Sequence, residues 1–174
     1  KLMNLEKEQN LFAAGHRLVA GTDEAGRGPL AGPVVAACVV IDENFRLDEN
    51  LAAVTDSKKL TAKKREQLFS LIKEKVLAVE IGISGHELID KINILQASFE
   101  AMRRAYRRLG QQPDFLIVDG SFTVPKLEVP QEAVIGGDRS VWTVAAASII
   151  AKVSRDYLML EYAKLYPQYG FAKH

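Results

Sequence analysis

The chain has 174 residues, of which 48% are hydrophobic and 26% are charged, and its formal net charge at pH 7 is +1. This length predicts a single domain, residues 1–174, whose core needs no disulfide bonds, and the single cysteine, Cys38, excludes an internal disulfide and a cysteine-rich zinc site. Because the sequence shows no secretory signal and no apolar run of about 18 residues, we expect a cytoplasmic protein without a membrane association.

The apolar pattern of the first half predicts two strands, a helix and a third strand. The first two strands span residues 18–24 and 33–41, and the second is apolar on both faces, which is typical of a strand inside a sheet. Thr61 stands where it would cap a helix that runs to about Lys75. From Val76 to Ile83 the pattern changes toward that of a strand.

Two capping patterns predict a pair of helices in the middle of the chain. Ser84 and Glu87 match a capping box for a short helix. Asn93 with Gln96 marks the start of a second helix, which we expect to run to residue 109 because a glycine follows.

The last part of the chain predicts two short strands, residues 115–118 and 133–135, and a long helix over residues 143–165 that Pro167 ends. The complete order is two strands, a helix, a strand, one or more helices, two strands and a helix. This alternation predicts an α/β fold with a mixed central β-sheet flanked by helices.

Four acidic residues lie at or just beyond the predicted strand ends: Asp23, Glu24, Asp119 and Asp138. Ligands of open α/β sheets bind outside the carboxyl ends of the strands, and a site with oxygen ligands alone suits Mg²⁺ or Mn²⁺. An aspartate beside a glycine is also common in ordinary turns. Neighbouring strand residues point to opposite faces, so Asp23 and Glu24 share a metal only if the strand distorts or if Glu24 contributes its carbonyl oxygen.

The basic residues form two clusters, which are residues 58, 59, 63, 64 and 65 and residues 103, 104, 107 and 108. Each is more typical of a solvated helix face than of a track for phosphates.

Cys38 lies inside a predicted buried strand, where we expect it to pack as a small apolar residue and not to act as a nucleophile.

Several stretches resemble the type 2 ribonuclease H family of bacteria. The most specific are Gly-Thr-Asp-Glu-Ala-Gly-Arg-Gly-Pro-Leu-Ala-Gly-Pro at 21–33 and Ala-Ala-Ala-Ser-Ile-Ile-Ala-Lys-Val at 145–153. The others are Asp-Ser-Lys-Lys-Leu at 56–60, Val-Asp-Gly at 118–120, Gly-Asp at 137–138, Arg-Asp at 155–156 and Pro-Gln-Tyr-Gly-Phe at 167–171. The resemblance covers nearly the whole chain, in the order that the family has.

The resemblance implies a ribonuclease H-like fold and an endonuclease that cuts the RNA strand of RNA/DNA hybrids and single ribonucleotides embedded in duplex DNA. It implies hydrolysis with two Mg²⁺ or Mn²⁺ ions, leaving 3′-hydroxyl and 5′-phosphate ends. The implied catalytic and metal-binding residues are Asp23, Glu24, Asp119 and Asp138. The implied substrate-binding residues are Gly26, Arg27 and Gly28 at the ribose 2′-hydroxyl, Ser57, Lys58, Ser148 and Lys152 at phosphates, and Asn93. We expect the enzyme to be a monomer.

Three other interpretations stay open. A DNA-cutting nuclease of the same fold would not require the 2′-hydroxyl, and a type 3 ribonuclease H would carry a substrate-binding domain before Gly21. Family members continue beyond the position of His174 with Lys-Gly-Tyr, and that tyrosine is thought to stack at the ribonucleotide. A chain without this tail is expected to cut single ribonucleotides poorly, or to act only as a hybrid-binding module with little or no turnover.

Overall fold

The structure is a computed structural model that describes residues 2–28 and 32–165. Pro167, the stretch at 167–171 and His174 lie outside these residues, as do residues 29–31 of the first motif. The helices and strands follow in chain order: α1 (Glu6–Ala13), β1 (Leu18–Ala25), β2 (Val34–Asp42), α2 (Ala62–Lys75), β3 (Ala78–Ser84), α3 (His86–Ile92), α4 (Ile94–Arg108), β4 (Phe115–Asp119), β5 (Gln131–Val134), α5 (Gly137–Ser140) and α6 (Trp142–Leu165).

The five strands form one mixed sheet in the order β3-β2-β1-β4-β5. β2 is antiparallel to both β1 and β3, whereas β4 is parallel to both β1 and β5. The carboxyl ends of β1, β4 and β5 therefore meet at one edge of the sheet. This architecture confirms the predicted α/β fold with a mixed sheet, and β2 is an interior strand as its double-sided apolar pattern predicts.

Helices cover both faces of the sheet. One face packs against α2 and α6, in a core that includes Ile41, Leu68 and Ile149. The other packs against α4, with Cys38 and Met102 in its core. Cys38 is fully buried, as expected of a small apolar residue, and burial raises the pKa of its thiol to about 12.

Two of the three predicted helix caps are confirmed. The Thr61 hydroxyl accepts a 3.1 Å hydrogen bond from the backbone N–H of Lys64, and Asn93 Oδ1 accepts one of 3.0 Å from that of Gln96. The predicted Ser84–Glu87 capping box is wrong. Ser84 is the last residue of β3, and its buried hydroxyl donates a 2.7 Å hydrogen bond to the carbonyl of Ala97.

Two helices were not predicted. α1 has eight residues and α5 only four, so neither repeats an apolar period often enough to be recognised in the sequence. α5 begins where Gly136 takes a left-handed conformation with φ 67°. Within residues 2–28 and 32–165, no helix is long and apolar enough to cross a membrane.

Candidate active site

Three of the predicted acids meet at the carboxyl edge of the sheet. Asp23 and Asp119 follow Thr22 and Val118, which pair across the parallel strands β1 and β4. Asp138 lies in α5, and its backbone N–H donates a 3.1 Å hydrogen bond to Asp119 Oδ1. One carboxylate oxygen from each of the three lies within 4.8 Å of the others. This arrangement is suited to hard divalent cations.

The strand alternation explains why these acids share one face. Val19 and Ile117 pack with Val144 of α6, and side chains two and four residues further along a strand point the same way. Asp23 and Asp119 therefore project on the α6 side of the sheet.

Burial and mutual repulsion act on the same carboxyl groups. The pKa of Asp23 is raised well above its ordinary value, first by burial and then by the negative charges of Glu24, Asp119 and Asp138. Burial and Asp119 also raise the pKa of Asp138. A bound cation would compensate for both effects, so the donor set fits a divalent metal site.

Glu24 projects on the other side of the sheet. It pairs with Ala36, which belongs to the α4-side core, whereas Asp23 pairs with Ala37 of the α6-side core. Pairing with β2 continues regularly to Ala25, so the strand does not distort before Gly26.

The Glu24 carboxylate is nevertheless close to the three-acid cluster in electrostatic terms. Burial raises its pKa, and the charge of Asp119 adds to the rise. Its Oε1 lies 3.5 Å from Arg27 Nη1, and its buried Oε2 has no hydrogen-bond partner in the described part of the chain. A contribution of Glu24 to a metal, through its carbonyl or its carboxylate, stays a prediction.

A second group of predicted residues borders the acids on the α6 side. Lys58 Nζ lies 3.7 Å from Asp138 Oδ2 and 3.7 Å from Asp56 Oδ1, and its side chain is 78% exposed. Burial alone would lower the pKa of Lys58, but the neighbouring carboxylates together raise it. The lysine is therefore a solvent-facing cation held beside the acids.

Asp56, the first residue of the Asp-Ser-Lys-Lys-Leu motif, is a further functional candidate. It is buried, its Oδ1 accepts a 3.0 Å hydrogen bond from the backbone N–H of Lys58, and its charge raises the pKa of Asp138. An aspartate two residues before a lysine in a short turn is a recognisable capping signal. What the sequence does not show is that this turn lies against Asp138.

The two predicted serines are in direct contact. The Ser148 hydroxyl donates a 2.9 Å hydrogen bond to the Ser57 hydroxyl, although 91 positions separate them. Arg65 Nη1 holds the Ser57 turn by donating hydrogen bonds to the carbonyl oxygens of Ser57, at 2.9 Å, and Leu60, at 2.6 Å. Lys152 Nζ lies 3.0 Å from Asp156 Oδ1, so this predicted phosphate contact is paired in the structure.

The Gly26-Arg27-Gly28 segment follows β1 directly, and its two glycines differ. Gly26 has φ 104°, and a Cβ there would lie 2.6 Å from the Pro33 carbonyl oxygen and 2.5 Å from Arg155 Nε. Arg155 is buried and donates a 2.9 Å hydrogen bond to that same carbonyl. A Cβ on Gly28 would meet no described atom within 4 Å. Gly26 is therefore required by packing, whereas no contact among the described residues requires glycine at position 28.

Asn93 differs from the other predicted substrate residues. Its side chain caps α4 and its φ is 73°, so its described contacts stabilise the start of that helix and do not join it to the acids.

The basic cluster on α4 contains one arginine that is buried. Arg104, Arg107 and Arg108 are exposed, as expected of a solvated face. Arg103 is the exception, because it is buried and donates a 3.0 Å hydrogen bond to the Pro125 carbonyl.

The chain is similar to known proteins along most of its length. A family model described as Ribonuclease HII matches residues 20–174. Ribonuclease HII of Geobacter sulfurreducens is 54% identical over 167 residues, covering 96% of this chain and 75% of that protein. Ribonuclease HII of Endomicrobium trichonymphae is 52% identical over 167 residues, covering 96% of this chain and 78% of that protein.

Solved structures give the same picture. Ribonuclease H2 from Pyrococcus horikoshii has a TM-score of 0.69 and 36% identity, covering 88% of this chain and 77% of that one. RNase HII of Archaeoglobus fulgidus, solved in complex with PCNA, has a TM-score of 0.71 and 29% identity, covering 86% of this chain and 78% of that one. Bst-RNase HIII, solved with Mn²⁺, shares the fold at a TM-score of 0.70 and 18% identity, covering 87% of this chain and 56% of that one.

The matched residues include the three acids that converge at the sheet edge, the Ser57–Lys58 turn and the helix that carries Ser148. Motifs, fold and relatives agree with the predicted family. The chain belongs to the ribonuclease HII family of endoribonucleases.

Proposed function

We propose that this ribonuclease cuts the RNA strand of RNA/DNA hybrids, and single ribonucleotides embedded in duplex DNA, leaving 3′-hydroxyl and 5′-phosphate ends. The observation that carries the proposal is the convergence of Asp23, Asp119 and Asp138, whose oxygens lie within 4.8 Å of one another. Carboxylates gathered at one point would repel a nucleic-acid phosphate unless cations stood between them.

Asp23, Asp119 and Asp138, with Glu24 beside them, would hold two divalent cations, Mg²⁺ or Mn²⁺. When bound, such ions supply an activated water and neutralise charge on the reacting phosphate and leaving oxygen. Glu24 would join them from the other side of β1, since its buried Oε2 has no hydrogen-bond partner in the described part of the chain and the charge of Asp119 helps to raise its pKa.

The residues around the acids would bind and orient the strand. Lys58 places an exposed cation next to Asp138, where it can reach a phosphate oxygen. The paired hydroxyls of Ser57 and Ser148 supply polar hydrogens on the same side. Lys152 has three N–H donors and one of them reaches Asp156, so it could contact a phosphate at the same time. Asn93 would contact the strand with its side-chain oxygen still capping α4.

The Gly26-Arg27-Gly28 segment would read the ribose. No atom of the described residues would lie within 4 Å of a Cβ on Gly28, so glycine would let the backbone approach a sugar closely. The 2′-hydroxyl is the group that separates RNA from DNA. Arg27 is about half exposed and has only the 3.5 Å contact with Glu24 among its described ion pairs. It is therefore available to a substrate.

The test uses three end-labelled duplexes of one sequence, namely a long hybrid, a DNA duplex with one ribonucleotide, and all-DNA. With Mg²⁺ or Mn²⁺ we expect cutting of the first two only, with ends that a polymerase extends and a ligase joins, and no cutting in EDTA. Equal cutting of all-DNA would indicate a DNA nuclease. Tight, salt-sensitive binding without turnover would indicate a binding module. Cutting in EDTA would contradict the metal mechanism. That the enzyme is a cytoplasmic monomer stays a prediction.

A further inference from the structure

Two large apolar side chains are exposed in the segments that follow β4 and β5, the strands next to the acids. Phe122 is 61% exposed and Ile135 is 78% exposed. Phe122 comes three residues after Asp119, and Ile135 comes three residues before Asp138. A single exposed apolar residue is ordinary, whereas apolar side chains grouped at one edge of a binding site can form a contact surface for a ligand.

The sheet brings both residues to the same edge. β4 and β5 are parallel, with Asp119 paired to Val134, and the backbone N–H of Gly120 donates a 3.0 Å hydrogen bond to the Val134 carbonyl. The segments that carry Phe122 and Ile135 therefore leave the sheet side by side. Both begin at the edge where the carboxylates converge.

The loop that carries Phe122 is anchored close to the ring. The backbone N–H of Val124 donates a 2.7 Å hydrogen bond to Gln131 Oε1, and Gln131 Nε2 donates one of 3.0 Å to the Val124 carbonyl. Arg103 holds Pro125 from α4, and the Val124 side chain is buried. Phe122 thus lies between two fixed points, Asp119 and Val124, and the fold holds its position while leaving the ring in solvent.

The borders of the site differ in chemistry. The Lys58 and Ser57 side supplies a cation and hydroxyl groups, whereas the side formed by the ends of β4 and β5 supplies Phe122 and Ile135. A nucleic-acid strand has a matching asymmetry, because its phosphates are anionic while its sugar faces and bases offer apolar surface. Base stacking on aromatic rings is a general way to hold such strands.

We propose that Phe122 and Ile135 form an apolar contact surface for the sugar and base of the nucleotide next to the scissile phosphate. The inference rests on the proposed function, since a strand must lie across the acids for the contact to form. It assigns Phe122 the role of a positioning residue that holds the strand in register with the acids.

The experiment measures KM and kcat for cleavage of the single-ribonucleotide duplex with Mg²⁺. Affinity for the same duplex is measured with Mg²⁺ in the Asp119→Asn background, which is expected not to cut it. Phe122→Ala is expected to weaken binding by about fivefold to a hundredfold, the range typical of one lost stacking contact, and Ile135→Ala by less. Leu77→Ala is the matched control. Leu77 is 45% exposed and precedes β3 at the opposite end of the sheet, so this variant should bind and cut like the parent.

A second variant reports contact directly and does not depend on the alanine variant folding well. Phe122→Trp should keep the affinity, and its exposed indole should change in fluorescence when the duplex binds, against the buried background of Trp142, the chain's one native tryptophan. Unchanged fluorescence, or alanine variants that match Leu77→Ala while the parent cuts the duplex, would overturn this inference alone. A parent that cuts neither ribonucleotide substrate would overturn the proposed function as well.

Discussion

Glu8 Oε2 accepts a 2.8 Å hydrogen bond from the backbone N–H of Thr143, across 135 positions of sequence and inside the protein. Thr143 belongs to the first turn of α6, where backbone N–H groups have no partner within the helix. Later turns of the same helix carry Ser148 and Lys152. The α1 carboxylate therefore fixes the end of the helix that positions two predicted substrate residues, although Glu8 precedes the residues that the family model matches.

Replacing Glu8 with alanine should destabilise the protein by roughly 1–3 kcal/mol, the cost of leaving a buried donor unpaired. Glu8→Gln keeps an acceptor oxygen of the same size and should lose less. The measurement is urea denaturation of the two variants and the parent. Equal free energies of unfolding for parent and Glu8→Ala would show that water replaces the carboxylate at no cost.

The same residue predicts a pH dependence. Burial is the largest cause that raises the pKa of Glu8 above its ordinary value of 4.5, so the unfolded chain releases this proton at a lower pH than the native protein. The contribution to stability is complete below pH 4.5 and is lost as the pH rises through the native pKa. The difference in unfolding free energy between parent and Glu8→Gln should therefore shift in favour of the parent as the pH falls toward 4.5. If the difference in unfolding free energy between parent and Glu8→Gln did not change with pH, the raised pKa of Glu8 would be contradicted.

Asp119→Asn should abolish cleavage without harming the metal-free fold. The amide oxygen can still accept the hydrogen bond from Asp138 N–H, while removing one charge relieves repulsion in the cluster. Thermal melts should show an unchanged or higher midpoint without metal, and a smaller rise than the parent on adding Mn²⁺. Asp42→Asn, at the opposite end of the sheet, makes the same chemical change and should retain activity. A sharp loss of metal-free stability in Asp119→Asn would count against a metal site there.

The two glycines of the first motif should respond oppositely to alanine. Gly26→Ala introduces a Cβ at φ 104° against Arg155 and the Pro33 carbonyl. The strain should lower the free energy of unfolding by roughly 1–3 kcal/mol or more, and with it the melting temperature. Gly28→Ala meets open space among the described atoms and should leave the melting temperature nearly unchanged while reducing cleavage. A Gly28→Ala enzyme with full activity on the single-ribonucleotide duplex would remove Gly28 from the ribose contact.

Arg27→Ala should reduce cleavage of ribonucleotide-containing duplexes much more than it reduces stability. Its side chain is 46% exposed and its ion pair with Glu24 spans 3.5 Å, and exposed pairs of this kind contribute little to folding, about 0–1 kcal/mol. Arg108→Ala is the control, because Arg108 is 61% exposed and has a similar 3.6 Å pair with Glu80. Equal catalytic efficiency in both variants would make Arg27 an ordinary surface arginine.

Most of the fold is predictable from short stretches of sequence. The buried strand β2, the helix start at Thr61 and the start at Asn93 each depend on side-chain periodicity or on one hydrogen bond to a residue three positions away. Ser84 shows the limit of such local patterns. Its hydroxyl is used by the carbonyl of Ala97, a contact that depends on how α4 packs against β3.

The sequence by itself predicted the family, the order of the strands and of the helices other than α1 and α5, and four candidate acids, because motifs, periodicity and capping are properties of neighbouring residues. Only the tertiary structure decided which acids converge. The register of β1 with β4 places Asp23 and Asp119 on the α6 side with Asp138, and the alternation of the same strand places Glu24 on the other side. The pairing of Ser148 with Ser57, and of Glu8 with Thr143, also depends on packing, because the partners are 91 and 135 positions apart. No pattern along the chain records contacts of that range.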